Sequence, residues 1–131
     1  MFKQLAPGVW VSGQIFEADL ARAKEMGVGL VINNRPDGEE PGQPEAAGMA
    51  RAAHGLDIDY LYAPVSGMPN AQAVEAVEAA LNDGTPVLMH CKSGMRSTVA
   101  WALAAARTGQ SREDILSAAA GADYDLSSLP F

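Results

Sequence analysis

The chain has 131 residues, 48% of them hydrophobic and 19% charged, which suffices for a core that can hold a fixed site, and one domain over residues 1–131 is expected. A formal net charge of −7, with nine scattered Lys and Arg, argues against an electrostatic grip on nucleic acid or an anionic membrane, because neutralising phosphate needs clustered cations. No stretch is apolar for long enough to span a bilayer or form a secretory signal, so the cytoplasm is the expected location. The lone cysteine, Cys91, excludes an intramolecular disulfide and a Cys-rich metal site. No cofactor or metal is expected, and any partner thiol must come from another molecule.

Short apolar runs alternate with helical stretches, the pattern of an α/β domain with a mostly parallel central sheet of four to five strands flanked by helices. Val9–Ser12 reads as a strand, followed by an amphipathic helix from about Phe16 to a stop at Gly27. Gly29–Asn33 reads as a buried strand, and Asn34–Gly42, rich in turn formers and charges, as the loop at its end. A second helix is predicted from about Pro44 to His54, with Gly55 as a left-handed cap. Ile58–Val65 returns as strand, and Asn70 caps a helix that stops at Gly84. Thr85–Met89 follows as a wholly apolar strand. Ser97–Arg107 is apolar almost all round, which marks an enclosed helix, and Ser111 with Asp114 resembles a capping box opening a last helix through Ala120.

The chemistry concentrates in His90-Cys91-Lys92-Ser93-Gly94-Met95-Arg96-Ser97, between the fourth of these strands and the enclosed helix. A nucleophile, a small glycine-containing loop and an Arg at a helix start form an anion site with a thiol at its floor. Loop amides and the positive end of the helix point inward, and Arg96 adds a fork of donors. Those fields favour thiolate over thiol. Gly94 permits the tight turn, and Ser97 can donate to the sulfur or to a bound anion. A lone Cys at a strand end is more often a small buried hydrophobe, but the His before it and the Gly and Arg-Ser after it favour the reactive reading. His90 reads as an orienting residue beneath the loop, since a stabilised thiolate needs no base. Arg35, at a strand's C-terminal end, stands either toward a ligand or as solvated surface.

The strand order and the His-Cys-loop-Arg-Ser arrangement resemble the dual-specificity and tyrosine phosphatases across nearly the whole chain. More narrowly, Val31-Ile32-Asn33-Asn34-Arg35-Pro36-Asp37-Gly38-Glu39-Glu40, with His90 to Ser97 and Trp101-Ala102-Leu103, resembles the beta-lactamase hydrolase-like phosphatase-like domains, also called DUF442, described both as phosphatases and as sulfurtransferases. The resemblance implies a phosphatase-like fold with Cys91, Arg96 and Ser97 in catalytic roles and Lys92 to Arg96 as the anion-binding loop.

Two departures from the phosphatase pattern bear on chemistry. That signature places five residues between Cys and Arg, whereas Cys91 and Arg96 enclose four, Lys92 to Met95, as in the shorter loop of rhodaneses, which carry sulfur on cysteine as a persulfide. The general acid of such phosphatases is an aspartate in the loop that corresponds to Pro64–Asn70, which here has no carboxylate. General acid catalysis contributes a factor on the order of 100 to 10,000, and sulfur transfer needs no such acid. Asp37, Glu39 or Glu40 is the substitute acid if one swings in from the neighbouring loop. The sequence therefore favours a sulfurtransferase using a small donor, thiosulfate or a persulfide, and an acceptor thiol. A phosphatase acting on a phosphorylated substrate is the alternative, and an anion- or persulfide-sensing module the third reading. Oligomeric state is not legible.

Overall fold

The structure is a computed structural model and describes residues 2–131. Five short strands, β1 (Lys3–Ala6), β2 (Val9–Ser12), β3 (Leu30–Asn33), β4 (Asp59–Tyr62) and β5 (Val87–His90), form one sheet in the order β1-β2-β5-β3-β4. All neighbours are parallel except β1 and β2. Five helices complete the chain: α1 (Glu17–Glu25), α2 (Ala46–His54), α3 (Ala71–Asp83), α4 (Met95–Arg107) and α5 (Arg112–Gly121). This is the expected α/β architecture with a mostly parallel, helix-flanked sheet.

Strand β5 is central because it can be: all four of its residues are buried, so it has no face to offer water. Side chains alternate across the sheet. Val87 and Met89 join Val9, Val11 and Ile32 against α3, α4 and α5, while Leu88 and Val31 pack on the other face with Leu20 of α1 and Met49 and Ala53 of α2. Helix α4 fits between sheet and outer helices because Ala100, Ala102, Ala104 and Ala105 are buried and small, and Trp101 fills the remaining volume.

Local departures from the expected elements have local causes. Strand β1 has one buried side chain, Leu5, too little alternation to read from sequence; its antiparallel pairing with β2 creates it. The β4 ladder stops at Tyr62, although Ala63 and Val65 still donate to the Asn33 and Asn34 carbonyls, each at 2.8–2.9 Å. Gly55 is right-handed (φ −63°), and Asp57 (φ 58°) makes the left-handed turn two residues later, where Ile58 N–H reaches back to the Ala53 carbonyl. Helix α4 begins at Met95, earlier than the predicted Ser97, because Gly94 at φ 95° reverses the chain directly into it.

Parallel pairing aligns Ser12, His90, Asn33 and Tyr62 across the sheet, so the loops after β2, β5, β3 and β4 open on one edge. Ligands of parallel α/β sheets bind at that carboxyl edge. Asn70, whose side chain accepts from Ala73 N–H at 2.9 Å, starts α3 there. Replacing it with Ala should cost about 1 kcal/mol, read as a lower urea midpoint with unchanged cooperativity.

Candidate active site

Cys91 leaves the end of β5 with no exposed surface and lies at the floor of the loop, while Lys92, Ser93 and Met95 are exposed above it. The Gly94 amide donates to Cys91 Sγ at 3.1 Å. Two neighbours from other elements set the loop's peptide planes. The Lys92 carbonyl accepts from Gln14 N–H (3.1 Å), and Gly13 is required there because a Cβ would lie 2.9 Å from that oxygen. The Ser93 carbonyl accepts from the Tyr124 hydroxyl (2.8 Å). A trans peptide carries its N–H opposite its carbonyl, so turning both oxygens outward turns the Ser93 and Gly94 amides inward.

Arg96 Nη1 donates to Glu39 Oε2 (2.8 Å) and to the Val65 carbonyl (2.9 Å), and Nη2 donates to Glu39 Oε1 (2.9 Å). These bonds use three of the guanidinium's five donors and leave Nε–H with one Nη2 hydrogen, an edge shaped for bidentate anion contact. Glu39 raises the Arg96 pKa most, and the Cys91 charge adds to it, which puts that guanidinium in the field of the sulfur. Glu39 also accepts from Arg35 Nε (2.9 Å), and the two cations, Arg96 first, hold its carboxyl down at about 2.

Arg35 is buried rather than solvated, and its donors are taken by side chains of neighbouring loops. Its side chain is 4% exposed and donates to Glu39, to Gln14 Oε1 (3.0 Å) and to Glu40 Oε1 (2.6 Å). Glu40 also pairs with Lys92 (3.1 Å), and Lys92 followed by Arg35 lowers its pKa. Asp37 points elsewhere: its Oδ1 accepts from Ala46 N–H (2.9 Å) at the start of α2, and its own N–H donates to the Tyr62 hydroxyl (2.9 Å). The 34–42 loop is thus tied at each carboxylate rather than poised to swing. Ser97 likewise sends its hydroxyl to Asn34 Oδ1 (2.8 Å) instead of the sulfur, and Asn34 Nδ2 donates to the Ala63 carbonyl (2.9 Å).

His90 is fully buried, and neither ring nitrogen has a hydrogen-bond partner in ordinary geometry. Burial lowers its pKa to about 4, against a smaller opposing contribution from the Cys91 backbone, so the ring is neutral at physiological pH and packs beneath the loop. Sequence reasoning assigned no role to Gly13, Gln14, Asn34 or Tyr124; Asn34 lies within the segment that carries the family resemblance, and all four reach the loop from other elements. Among the described residues no cluster of three or more His, Cys, Asp or Glu could hold a metal, and no helix is long and apolar enough to cross a membrane.

A thiol under inward amides, beside a clamped arginine at the carboxyl edge of a central parallel strand, defines the phosphatase-like class of cysteine folds. Residues 1–108 match the family described as beta-lactamase hydrolase-like protein, phosphatase-like domain, and the chain belongs to it. A beta-lactamase hydrolase-like protein of Agrobacterium fabrum is 37% identical over 108 residues, 80% of this chain and 25% of that protein. The chain therefore spans a quarter of the length of that relative. A Neisseria meningitidis protein assigned provisionally as a phosphatase superposes with TM-score 0.82 at 26% identity, covering 95% of this chain and 90% of that one. PTPMT1 in complex with PI(5)P, at 18% identity and TM-score 0.76 over 91% of this chain and 81% of that one, shows the shared fold.

Two outcomes test this geometry. Glu39→Gln should weaken the hold on Arg96 and lower turnover roughly tenfold, while Asp37→Asn, which keeps a capping oxygen, should leave turnover near wild type. His90 titrates below its ordinary 6.5 in the folded chain, so the unfolded chain takes the proton first. Stability is accordingly full above about 6.5 and falls as pH drops toward about 4. His90→Gln should flatten that slope between about pH 6.5 and pH 5 in urea titrations.

Proposed function

We propose that the domain is a sulfurtransferase in which Cys91 accepts sulfane sulfur and passes it to a thiol from another molecule. The observation that carries this reading is the state of the carboxylates. Glu39 is clamped between two arginines, Glu40 is paired with Arg35 and Lys92, Asp37 caps α2, and the 63–70 loop holds no acid. No free carboxylic acid is thereby left to protonate an alkoxide leaving group. Sulfur transfer requires none, because sulfite or a thiolate departs as an anion. The four-residue spacing between Cys91 and Arg96 points the same way, since a smaller ring of amides suits a terminal sulfur.

In the first half-reaction the Cys91 thiolate attacks the outer sulfur of thiosulfate. A new S–S bond forms, the donor's S–S bond breaks, and its electron pair leaves with sulfite. The persulfide anion then rests against the inward Ser93 and Gly94 amides and the free edge of Arg96. In the second half-reaction an acceptor thiolate attacks the terminal sulfur, and the Cys91 thiolate is the leaving group. A reducing compartment such as the cytoplasm keeps the lone thiol available.

A second reading, a phosphatase working through a Cys91 phosphoenzyme, draws on the family's description and on the fold shared with proteins named phosphatases. Phosphorylated substrates are its ligand class, and Arg96 offers the same bidentate edge to equatorial phosphate oxygens. The comparisons favour this reading, and the locked carboxylates oppose it.

Incubation with thiosulfate should add the mass of one sulfur to wild type and nothing to Cys91→Ser. Absence of that adduct together with brisk hydrolysis of alkyl phosphates would remove sulfur transfer in favour of the phosphatase. Hydrolysis confined to aryl phosphates, whose leaving group needs little acid, is the expected side activity. Tight anion binding with neither chemistry would instead indicate a sensor.

A further inference from the structure

Tyr124 lies beyond residue 108, where the family match ends, yet it reaches into the candidate active loop. The chain has no cis peptide among its described residues, so the 93–94 unit carries its oxygen and its N–H on opposite sides. One side accepts from the Tyr124 hydroxyl at 2.8 Å, and the other donates to Cys91 Sγ at 3.1 Å. Turned over, the same unit would set the Ser93 carbonyl oxygen against a thiolate. We propose that Tyr124 is a positioning residue whose hydroxyl holds the 93–94 peptide in the orientation that aims the Gly94 N–H at the nucleophile. The inference rests on Cys91 being that nucleophile, which the sulfur and phosphorus readings share.

The end of α5 is built to place this side chain. Asp123 takes a left-handed conformation (φ 71°), and Tyr124 N–H returns to the Ala119 carbonyl at 2.8 Å, a helix-terminating reversal. Lys3 of β1 pairs with the Asp123 carboxylate and anchors the reversal to the edge of the sheet. Ring and loop are also in close contact: a Cβ at position 94 would collide with Tyr124 Oη, so the glycine that opens α4 also makes room for the tyrosine. Burial, and then the charge of Cys91, hold the Tyr124 hydroxyl above its usual range, with Lys3 opposing and Asp123 adding to the rise. The hydroxyl therefore keeps its proton at neutral pH and can donate to the Ser93 carbonyl.

The test is alkylation of Cys91 by iodoacetamide across a pH series, a reaction that reads thiolate reactivity without assuming either substrate. Tyr124→Phe keeps the ring and removes the donor. It should slow alkylation at neutral pH roughly tenfold, the scale of one hydrogen bond to a charged group, and move the profile to higher pH with little change in Tm. Arg107→Gln, which removes the ion pair with Glu78 at the far end of α4, should retain the wild-type profile. Coincident profiles for Tyr124→Phe and wild type would overturn the positioning role, as would an equal displacement in Arg107→Gln. A wild-type profile matching that of the urea-unfolded chain would overturn the nucleophile reading itself, and this inference with it.

Discussion

The carboxylate of Glu39, shared between the guanidinium groups of Arg96 and Arg35, is the interaction on which the site depends. An arginine beside a thiol is useful only if its donors face the ligand, and a long side chain left alone samples many rotamers. Glu39 and the Val65 carbonyl remove that freedom by occupying the donors that point away from the loop. Arg35, anchored in turn by Gln14 and Glu40, keeps Glu39 from following Arg96 outward. The result joins the loops after β2, β3, β4 and β5 through charge-assisted bonds, and it holds the Glu39 carboxyl well below the usual carboxylate range. The clamp that orients Arg96 thus also favours the ionised form of the carboxylate beside it.

Much of this was legible in the sequence, because the strongest signals were local. The all-apolar strand before His90, the alanine-rich helix after Ser97 and the caps at Asn70 and Gly84 follow from periodicity and single-residue conformational preference, and the structure places them within a few residues of expectation. The loop motif fixed attention on Cys91 and Arg96 for the same reason. What stayed hidden was pairing at a distance. Glu39 and Arg96 are 57 positions apart, Ser97 and Asn34 are 63, and Tyr124 and Ser93 are 31. A carboxylate in a charged, turn-rich segment looks the same whether it is solvated, caps a helix or clamps an arginine, and only the fold distinguishes Asp37 from Glu39. Likewise β1 has too short an alternation to announce itself and is defined by its partner strand.

The fold by itself is permissive. A phosphatase-like sheet presents an anion cradle whatever the central atom of the ligand, so the choice between phosphorus and sulfur falls to the number of residues in the loop and to the protons available around it. Both are properties of a few side chains that can change without disturbing the core, and a shared architecture with proteins named phosphatases is compatible with either outcome.

The solitary buried cysteine has one more consequence. Oxidised to a sulfenic acid, Cys91 has no second thiol in the chain with which to condense, so no internal disulfide can shelter it from further, irreversible oxidation. Recovery must pass through a thiol from solution, delivered to the floor of the same narrow loop. Under the proposed sulfur transfer, repair and turnover would share one entrance, and a shortage of reduced thiols would halt both.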